Sequence, residues 1–285
     1  MSAPPIHVSH HHAMATYFQV RIAGEEPGYA AQAAQAAFAK TDRLESLLSR
    51  FRENSEISQI AQLAPGGKLR LTEPTFACLT IAKRMELATR HAFSISPTAL
   101  QTQAAQPAWT LLPKEFSIRC DAGQLQFDLG AIGKGFALDR MAEELAEWEC
   151  PSFLLVAGGS SILAGAPPSD TPGWSSGLGD NGADKRFWLS HCSLSGSGLA
   201  VKGNHILDPR TGKIAAQRSR AWAITSTAAE SDALSTACMV LNEKEIEDCF
   251  AASSEWLVFL NHENQWRYFG KRILPNEDLT PQRAS

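Results

Sequence analysis

The sequence has no apolar run of about 18 or more residues, so it predicts no membrane-spanning helix. It also lacks an excess of charge of either sign, because 26 Lys and Arg against 30 Asp and Glu leave a net charge of −4. The small net charge argues against nucleic acid or an anionic membrane as a partner, and an anionic ligand would therefore need a local site. No internal repeat of fixed period is present, and no shift in composition marks a linker.

Paired cysteine motifs are missing as well, since none of the six cysteines forms a C-x-x-C pair. The sequence also has no closely spaced Cys and His residues of the kind that typically form a zinc site. We therefore expect reduced, buried thiols that act as small hydrophobic side chains. The run His10–His12 has metal-binding side chains, but a solvated segment near a frayed end is the preferred interpretation.

The N-terminal residues are rich in Pro, Ser and His, and they lack the basic start and the apolar stretch of a signal peptide. We expect a flexible segment over residues 1–13, a single domain over residues 14–275 and a tail over residues 276–285. A cytoplasmic location is the corresponding expectation, unless an export segment has been removed from the natural chain.

The spacing of apolar residues predicts an α+β fold in which helices pack on a largely antiparallel sheet. Strands are expected at residues 16–22, 124–129, 153–157 and 221–226, with a closing hairpin at 255–260 and 265–269. Helices are expected at residues 30–51, after Thr72 as N-cap, at about 134–149 and at 232–241. The stretch 169–184 is rich in Gly, Pro, Ser and Asp and is expected to be a surface loop.

A glycine turn between an expected strand and an expected helix is the first candidate for chemistry. The segment Asp128–Gly135 reads DLGAIGKG, and such a turn exposes backbone amides at a helix N-terminus, where phosphates bind. Lys134 adds a positive charge, and Asp128 adds a carboxylate that can accept hydrogen bonds or meet a metal. The spacing matches neither G-x-G-x-x-G nor the P-loop, so a structural turn with a surface lysine is the alternative.

Oxygen-bearing side chains at the start of another expected helix form the second candidate. Asp232 and Thr236 are four residues apart and therefore share one face of the helix. A carboxylate and a hydroxyl in this arrangement suit Mg²⁺, which prefers oxygen ligands. The alternative is that Ser231 or Asp232 only caps the helix.

Two further turns carry candidate residues. His205 comes just before the turn sequence Asp208–Gly212, and a histidine titrates near neutral pH, which suits a general base. A hydrogen-bonded structural histidine is the alternative there. The segment Gly158–Ser161 follows an apolar strand, and its glycines would let the backbone approach a flat ligand or a phosphate closely. A plain turn explains that segment equally well.

In their order along the chain, these segments resemble the FAD:protein FMN transferase family, also called ApbE. The similarity extends over roughly residues 14–270. It rests most on three blocks, DLGAIGKGFALD at 128–139, HILDPRTG at 205–212 and DALSTA at 232–237. Shorter matches are Met14–Thr16, Ser49–Phe51, Asn54–Ile57, Gly158–Gly159 and Ser195–Gly196.

The resemblance implies a T-fold-related domain with two similar α+β halves and a groove that binds FAD together with Mg²⁺. By position in the motifs, the implied metal ligands are the Ala131 carbonyl oxygen, Asp232, Ser235 and Thr236. The implied flavin contacts are Met14, Phe51, Asp128, Lys134 and Ile206. His205 is the implied catalytic base.

The same resemblance implies an enzyme that transfers FMN from FAD to a Thr or Ser hydroxyl of an acceptor flavoprotein and releases AMP. In such a transfer, positioning and charge neutralisation at the phosphates carry most of the catalysis. Three alternatives stay open. One is a Mg²⁺-dependent pyrophosphatase that hydrolyses FAD to FMN and AMP, and another is a protein that binds FAD without turnover. The third is a structural domain of this fold that binds no ligand.

Overall fold

The structure is a computed structural model that describes residues 5–96, 108–179, 185–198, 206–215, 218–250, 255–263 and 265–270. Its helices are α1 (Pro27–Leu48), α2 (Glu56–Ile60), α3 (Glu73–Ala88), α4 (Gly133–Glu147), α5 (Ala228–Val240) and α6 (Glu243–Phe250). Its first seven strands are β1 (Ile6–Ala13), β2 (Thr16–Ala23), β3 (Lys68–Arg70), β4 (Trp109–Leu112), β5 (Ser117–Cys120), β6 (Phe153–Ala157) and β7 (Ser161–Ala164). The remaining strands are β8 (Trp174–Leu178), β9 (Lys185–Leu189), β10 (Cys192–Gly198), β11 (Arg220–Thr225), β12 (Leu257–His262) and β13 (Gln265–Gly270).

One antiparallel sheet of eight strands organises the described residues, in the order β1-β2-β6-β7-β10-β11-β12-β13. The sheet has two halves of the same connectivity. In the first half the hairpin β1–β2 is followed by α1 to α4, with the separate three-stranded sheet β3-β5-β4 inserted among these helices, and then by the hairpin β6–β7. In the second half the pair β10–β11 is followed by α5, α6 and the hairpin β12–β13. The predicted α+β fold with two similar halves is therefore confirmed.

The two faces of the sheet are covered by different elements. The helices gather on one face, and α4 packs between α1 and α5 in a core that includes Phe136. On the other face, Trp222 and Phe259 are covered by the two-stranded ribbon β8–β9. The prediction of a loop over residues 169–184 is wrong for β8, because Trp174 and Leu178 bury their side chains in this second core.

Most elements expected from the spacing of apolar residues are present with shifted ends. The strands β2, β6 and β11 and the hairpin β12–β13 lie on expected strands, and α3, α4 and α5 lie on expected helices. Thr72 is the N-cap of α3 as predicted, but its side chain makes no capping hydrogen bond. Its hydroxyl donates instead to Glu56 Oε2 at 3.0 Å.

The prediction of a flexible segment over residues 1–13 is wrong for Ile6–Ala13, which form the strand β1. All eight residues pair with Thr16–Ala23 of β2, so backbone hydrogen bonds hold the segment in place. His11 also ties the strand to α1, because its Nε2 lies 2.7 Å from Asp42 Oδ1. A polar composition did not prevent strand formation because a ladder uses backbone groups that every residue except proline carries.

Two further predictions need correction. Residues 124–129 alternate between buried and exposed positions as a strand would, yet within the described part of the chain they belong to no strand. The Asp128 amide instead donates to the Ile95 carbonyl at 2.8 Å. Helix α1 ends at Leu48, so Phe51 lies beyond it and its ring is exposed rather than part of the apolar stripe.

The buried thiols and the helix lengths agree with the expectations from composition. All six cysteines are buried, as predicted, and none of them forms a disulfide. No described helix combines the length and the apolar character that a membrane crossing would require.

Candidate functional site

The N-terminus of α4 emerges from the glycine turn. The Leu129 carbonyl accepts hydrogen bonds from the amides of Ile132 at 3.0 Å and Gly133 at 2.7 Å, which closes the turn. Asp128 lies at the start of the turn, where its Oδ1 accepts from the Gly130 amide at 2.9 Å. The N-cap residue is Ile132, whose side chain has no oxygen to cap the helix. The first amides of α4 therefore need a partner from another element.

That partner is the carboxylate of Asp232 on α5. Its Oδ2 accepts from the Gly135 amide at 2.7 Å, and its Oδ1 accepts from the Ser161 hydroxyl at 2.6 Å. The Lys134 ammonium lies 3.8 Å from Oδ2. Asp232 is only 5% exposed, so the ammonium and the positive end of the α4 dipole offset the cost of burying its negative charge.

The interpretation of Ser231 or Asp232 as the N-cap of its own helix is wrong. Helix α5 begins at Ala228 with Thr227 as its N-cap, which places Ser231 and Asp232 inside the helix. The extra turn precedes the predicted start at residue 232 because the sequence AAES continues the helix without a breaking residue. The carboxylate is thus free to interact with α4 instead of with its own helix.

Ser235 and Thr236 follow Asp232 on the same helix. Their hydroxyls donate to the Asp232 carbonyl at 3.0 and 3.1 Å, respectively. The Ser197 hydroxyl on β10 lies 3.0 Å from the Ser235 hydroxyl and 3.1 Å from that of Thr236. The structure therefore gathers three of the predicted metal ligands on one segment of α5, which the sheet supports through Ser197.

A row of serines on β10 supports α5 along its length. Ser193, Ser195 and Ser197 alternate along the strand and therefore point to the same side of the sheet. The Ser231 hydroxyl lies 2.7 Å from that of Ser193 and 2.8 Å from that of Ser195. Sequence reasoning included Ser161 and Ser195 in candidate segments but did not predict their contacts with α5, although the spacing of two along β10 was a readable signal.

The N-terminus of α5 is capped in turn from α4. The carboxylate of Asp139 accepts from the amides of Ala228 at 2.7 Å and Ala229 at 2.9 Å. Burial raises the pKa of Asp139 to about 7; the two amide hydrogen bonds oppose that rise and the neighbouring Asp232 charge adds to it. Sequence reasoning placed Asp139 at the end of a matched block without giving it a role.

A close crossing of α4 and α5 accompanies these two caps. A Cβ atom added to Gly135 would overlap the carbonyl of Ala228 and would lie 2.7 Å from the Ala229 nitrogen. The glycine therefore lets the two helix N-termini approach with their backbones in contact.

Two hairpin turns meet at the same helix end. Met14 and Ala15 form the β1–β2 turn, both with positive φ, and Met14 Cε lies 3.7 Å from the position of a Cβ on Gly133. The β6–β7 turn contains Gly158, where an added Cβ would lie 3.7 Å from Lys134 Cδ. The same Cβ would lie 2.6 Å from the Thr16 hydroxyl oxygen, so Gly158 is both a turn residue and a point of close approach between the two hairpins.

An exposed aromatic ring lies beside the glycine turn. Phe51 is 83% exposed, which is unusual for a large apolar side chain. The Arg50 guanidinium lies 4.8 Å from the Phe51 ring centroid, and its Nη1 lies 3.2 Å from Asp128 Oδ2. The structure therefore brings Phe51 and Asp128 together through Arg50, a residue to which sequence reasoning gave no role.

One predicted flavin contact, Ile206, lies just before a further turn. His205 falls outside the residues that the structure describes, so its role stays a prediction. Ile206 is buried in the helix-side core, and the following turn is closed by the Gly212 amide, which donates to the Asp208 carbonyl at 2.8 Å. The expected turn is present, while the flavin contact of Ile206 stays a prediction.

The described residues contain no group of three or more His, Cys, Asp or Glu placed to hold a metal. Mg²⁺ commonly binds through one or two carboxylates together with substrate phosphates, so a single carboxylate with nearby hydroxyls is compatible with its chemistry. Asp232, Ser235 and Thr236 lie within five residues of one helix, and their role as metal ligands stays a prediction. Ala131 lies in the glycine turn two residues before α4 and is partly buried against the core.

Solved structures show which class of fold this is. A flavin transferase ApbE from Vibrio cholerae matches with a TM-score of 0.78 over 93% of this chain and 97% of that chain, at 17% identity. A flavinyl transferase ApbE from Pseudomonas stutzeri, in its apo form, matches with a TM-score of 0.79 over 94% and 95%, at 18% identity. The protein thus has the α+β fold of the flavin transferases.

The chain belongs to the ApbE family, whose model matches residues 14–258. A curated relative is the FAD:protein FMN transferase of Treponema pallidum (strain Nichols), which is 31% identical over 138 residues. That match covers 41% of this chain and 38% of the relative, so the chain spans well under half of that relative's length.

Proposed function

We propose that this protein transfers the FMN half of FAD to a Thr or Ser hydroxyl of an acceptor flavoprotein and releases AMP, with Mg²⁺ as cofactor. Membership of the ApbE family supports the proposal. The observation that carries it is the meeting of the α4 N-terminus, the Lys134 ammonium and the buried Asp232 carboxylate.

The positive side of this site suits the pyrophosphate of FAD. The amides at the start of α4 carry partial positive charge, and helix N-termini bind phosphates for this reason. Lys134 adds a full charge and keeps 26% of its side chain exposed, so a ligand can reach it. Fixed positive groups stabilise charge that develops on phosphate oxygens during transfer.

Aromatic and apolar side chains at the rim suit the flat rings of FAD. The exposed Phe51 ring offers a face for stacking. The Arg50 guanidinium lies against that ring and also pairs with the Asp128 carboxylate. Met14 reaches the start of α4 from the β1–β2 turn. Phe51 is exposed and Met14 is partly buried against the helix-side core beside Gly133, and we propose both as flavin contacts.

The oxygen donors fit Mg²⁺. Each oxygen of Asp232 accepts one hydrogen bond from a protein amide or hydroxyl, and a carboxylate has further lone pairs for a metal. Thr236 and Ser235 donate their protons to a backbone carbonyl, which leaves their lone pairs available. The Ala131 carbonyl would complete the protein ligands. Bound there, Mg²⁺ would neutralise charge on the pyrophosphate and on its leaving oxygen.

The proposed transfer exchanges one phosphorus–oxygen bond for another. The acceptor hydroxyl oxygen bonds to the FMN-side phosphorus while the bond from that phosphorus to the bridging oxygen breaks. AMP leaves with the bridging oxygen and its electron pair, and FMN stays on the acceptor through a phosphoester. His205 is the proposed base that takes the hydroxyl proton.

A substitution of Asp232 tests this proposal. The protein is incubated with FAD, Mg²⁺ and a flavoprotein subunit that carries an acceptor Thr or Ser, and covalent flavin is followed by in-gel fluorescence and mass spectrometry. We expect Asp232→Asn to remain folded and to lower the rate of labelling by about 100-fold or more, because it removes the charge that faces the metal and Lys134.

Glu230→Gln is the matched control. Glu230 lies on the same helix two residues earlier, but it pairs with Arg84. It should retain wild-type labelling. Equal labelling by wild type and Asp232→Asn would remove Asp232 from the site. If the wild-type protein released FMN and AMP but labelled no acceptor, the proposed activity would be hydrolysis instead of transfer. If it bound FAD but formed no product, it would be a binding protein.

A further inference from the structure

We propose that Asp139 is a positioning residue that fixes the Asp232 carboxylate at the N-terminus of α4 by capping α5 from α4. Its effect on FAD binding rests on the proposed function. The geometric part, that Asp139 controls the contact between Asp232 and Gly135, can be tested without any ligand.

Each of the two helices is capped by a carboxylate of the other. Asp139, from the second turn of α4, accepts from the amides of Ala228 and Ala229 at 2.7 and 2.9 Å. Asp232, from the second turn of α5, accepts from the Gly135 amide at 2.7 Å. Both helix N-termini thereby receive the negative partner that their unpaired amides and dipoles favour.

The crossing at Gly135 couples the two caps. The backbone of Gly135 touches that of Ala228, so α5 has no room to move toward α4. The two caps resist movement in the opposite direction, away from α4. These three contacts fix the approach of α5 to α4, while the serine row of β10 holds α5 on the sheet, and together they place the Asp232 carboxylate beside Lys134.

If Asp139 only stabilised α5, its loss would have the same effect as the loss of a residue that stabilises the other end of that helix. Arg218 provides the comparison, because its Nη1 donates to the carbonyls of Cys238 and Leu241 at the C-terminal end of the helix. Cys238 follows Asp232 by six residues, which is roughly 9 Å along the helix axis, so Arg218 holds α5 beyond the turn that carries Asp232. Loss of either Asp139 or Arg218 should lower the stability of the protein. Only the loss of Asp139 should release the Asp232 carboxylate from the Gly135 amide.

The first experiment compares the Gly135 amide in wild type, Asp139→Ala, Asp139→Asn and Arg218→Met by NMR and hydrogen exchange. We expect Asp139→Ala to shift the Gly135 amide resonance and to speed its exchange by about tenfold or more beyond the change at other α4 amides. Asp139→Asn keeps one acceptor oxygen and should give an intermediate effect, and it serves as the test if the alanine variant does not fold.

Arg218→Met keeps the apolar stem of the side chain and should leave the Gly135 amide as in wild type. An unchanged resonance and exchange rate of the Gly135 amide in a folded Asp139 variant would overturn the inference. So would an equal shift in Arg218→Met, because the effect would then report only the stability of α5.

The second experiment measures FAD binding in the presence of Mg²⁺ by flavin fluorescence, at denaturant-free conditions where all variants are folded. We expect the dissociation constant to rise by about tenfold or more in Asp139→Ala and to change little in Arg218→Met, as is typical when a residue that orients a metal ligand is lost. If the wild-type protein bound no FAD, the proposed function would be wrong. The resonance and exchange rate of the Gly135 amide would still test the role of Asp139.

Discussion

Gly133 and Gly135 lie two residues apart in the first turn of α4, yet their surroundings differ sharply. An added Cβ at Gly133 would meet only Met14 Cε at 3.7 Å and Leu129 Cβ at 3.8 Å, which are ordinary contacts. The same atom at Gly135 would overlap the backbone of Ala228. At the residue scale, one glycine is required by the helix crossing and the other is not required by packing.

Alanine substitutions separate these two glycines. We expect Gly135→Ala to lower the free energy of unfolding by about 3 kcal/mol, because the backbone of α5 must move to make room. Gly133→Ala should change it by about 1 kcal/mol or less, since alanine also favours a helix. Urea denaturation followed by circular dichroism measures both values. Similar values for the two variants would mean that the helices do not touch at Gly135.

At the scale of elements, the β1–β2 hairpin reaches the site through a strained turn. Met14 and Ala15 have φ values of 50° and 56°, in the left-handed region that favours glycine. No glycine relieves the strain, although the two-residue turn resembles the type that usually contains one. Strain of this kind often lies beside functional groups, and here it holds Met14 against the start of α4.

Relief of this strain is measurable. We expect Ala15→Gly to raise the free energy of unfolding by about 1 kcal/mol, because the left-handed conformation no longer costs energy. Ala13→Gly is the control in the same hairpin, and there the added freedom of the unfolded chain should lower stability by about 1 kcal/mol. Thermal denaturation of the three proteins compares them. A loss of stability in Ala15→Gly would contradict a left-handed turn.

On the scale of the whole molecule, one sheet separates two cores, and all six thiols are buried in these cores. Cys78 and Cys238 lie in the helix-side core, whereas Cys192 lies in the core under the β8–β9 ribbon. Burial raises the pKa of both Cys78 and Cys238 to about 12, which keeps these thiols protonated at neutral pH. The thiols therefore report on the integrity of both cores.

Thiol titration with Ellman's reagent tests this arrangement. In native buffer we expect no thiol to react, because all six are buried and only a thiolate is nucleophilic. In denaturant all six should react. Prompt reaction of one thiol in the native protein would show that the core around that cysteine is open.

Local patterns were sufficient for much of the fold and for part of the site. Alternation and helical spacing predicted β2, α4 and the closing hairpin because these elements bury one side of a regular backbone. They failed at residues 124–129, where the alternation is present but no strand among the described residues pairs with it. They also failed at Ile6–Ala13, where pairing with β2 outweighs a polar composition.

The sequence by itself determined the family, the glycine turn before α4 and the spacing of Asp232 and Thr236, because each depends on residues close together in the chain. Only the tertiary structure decided that Asp232 meets Gly135 and that Asp139 caps α5. These contacts join residues 97 and 89 positions apart, and no local periodicity encodes such a distance. They exist because both helices pack on the same face of one sheet with their N-termini in contact.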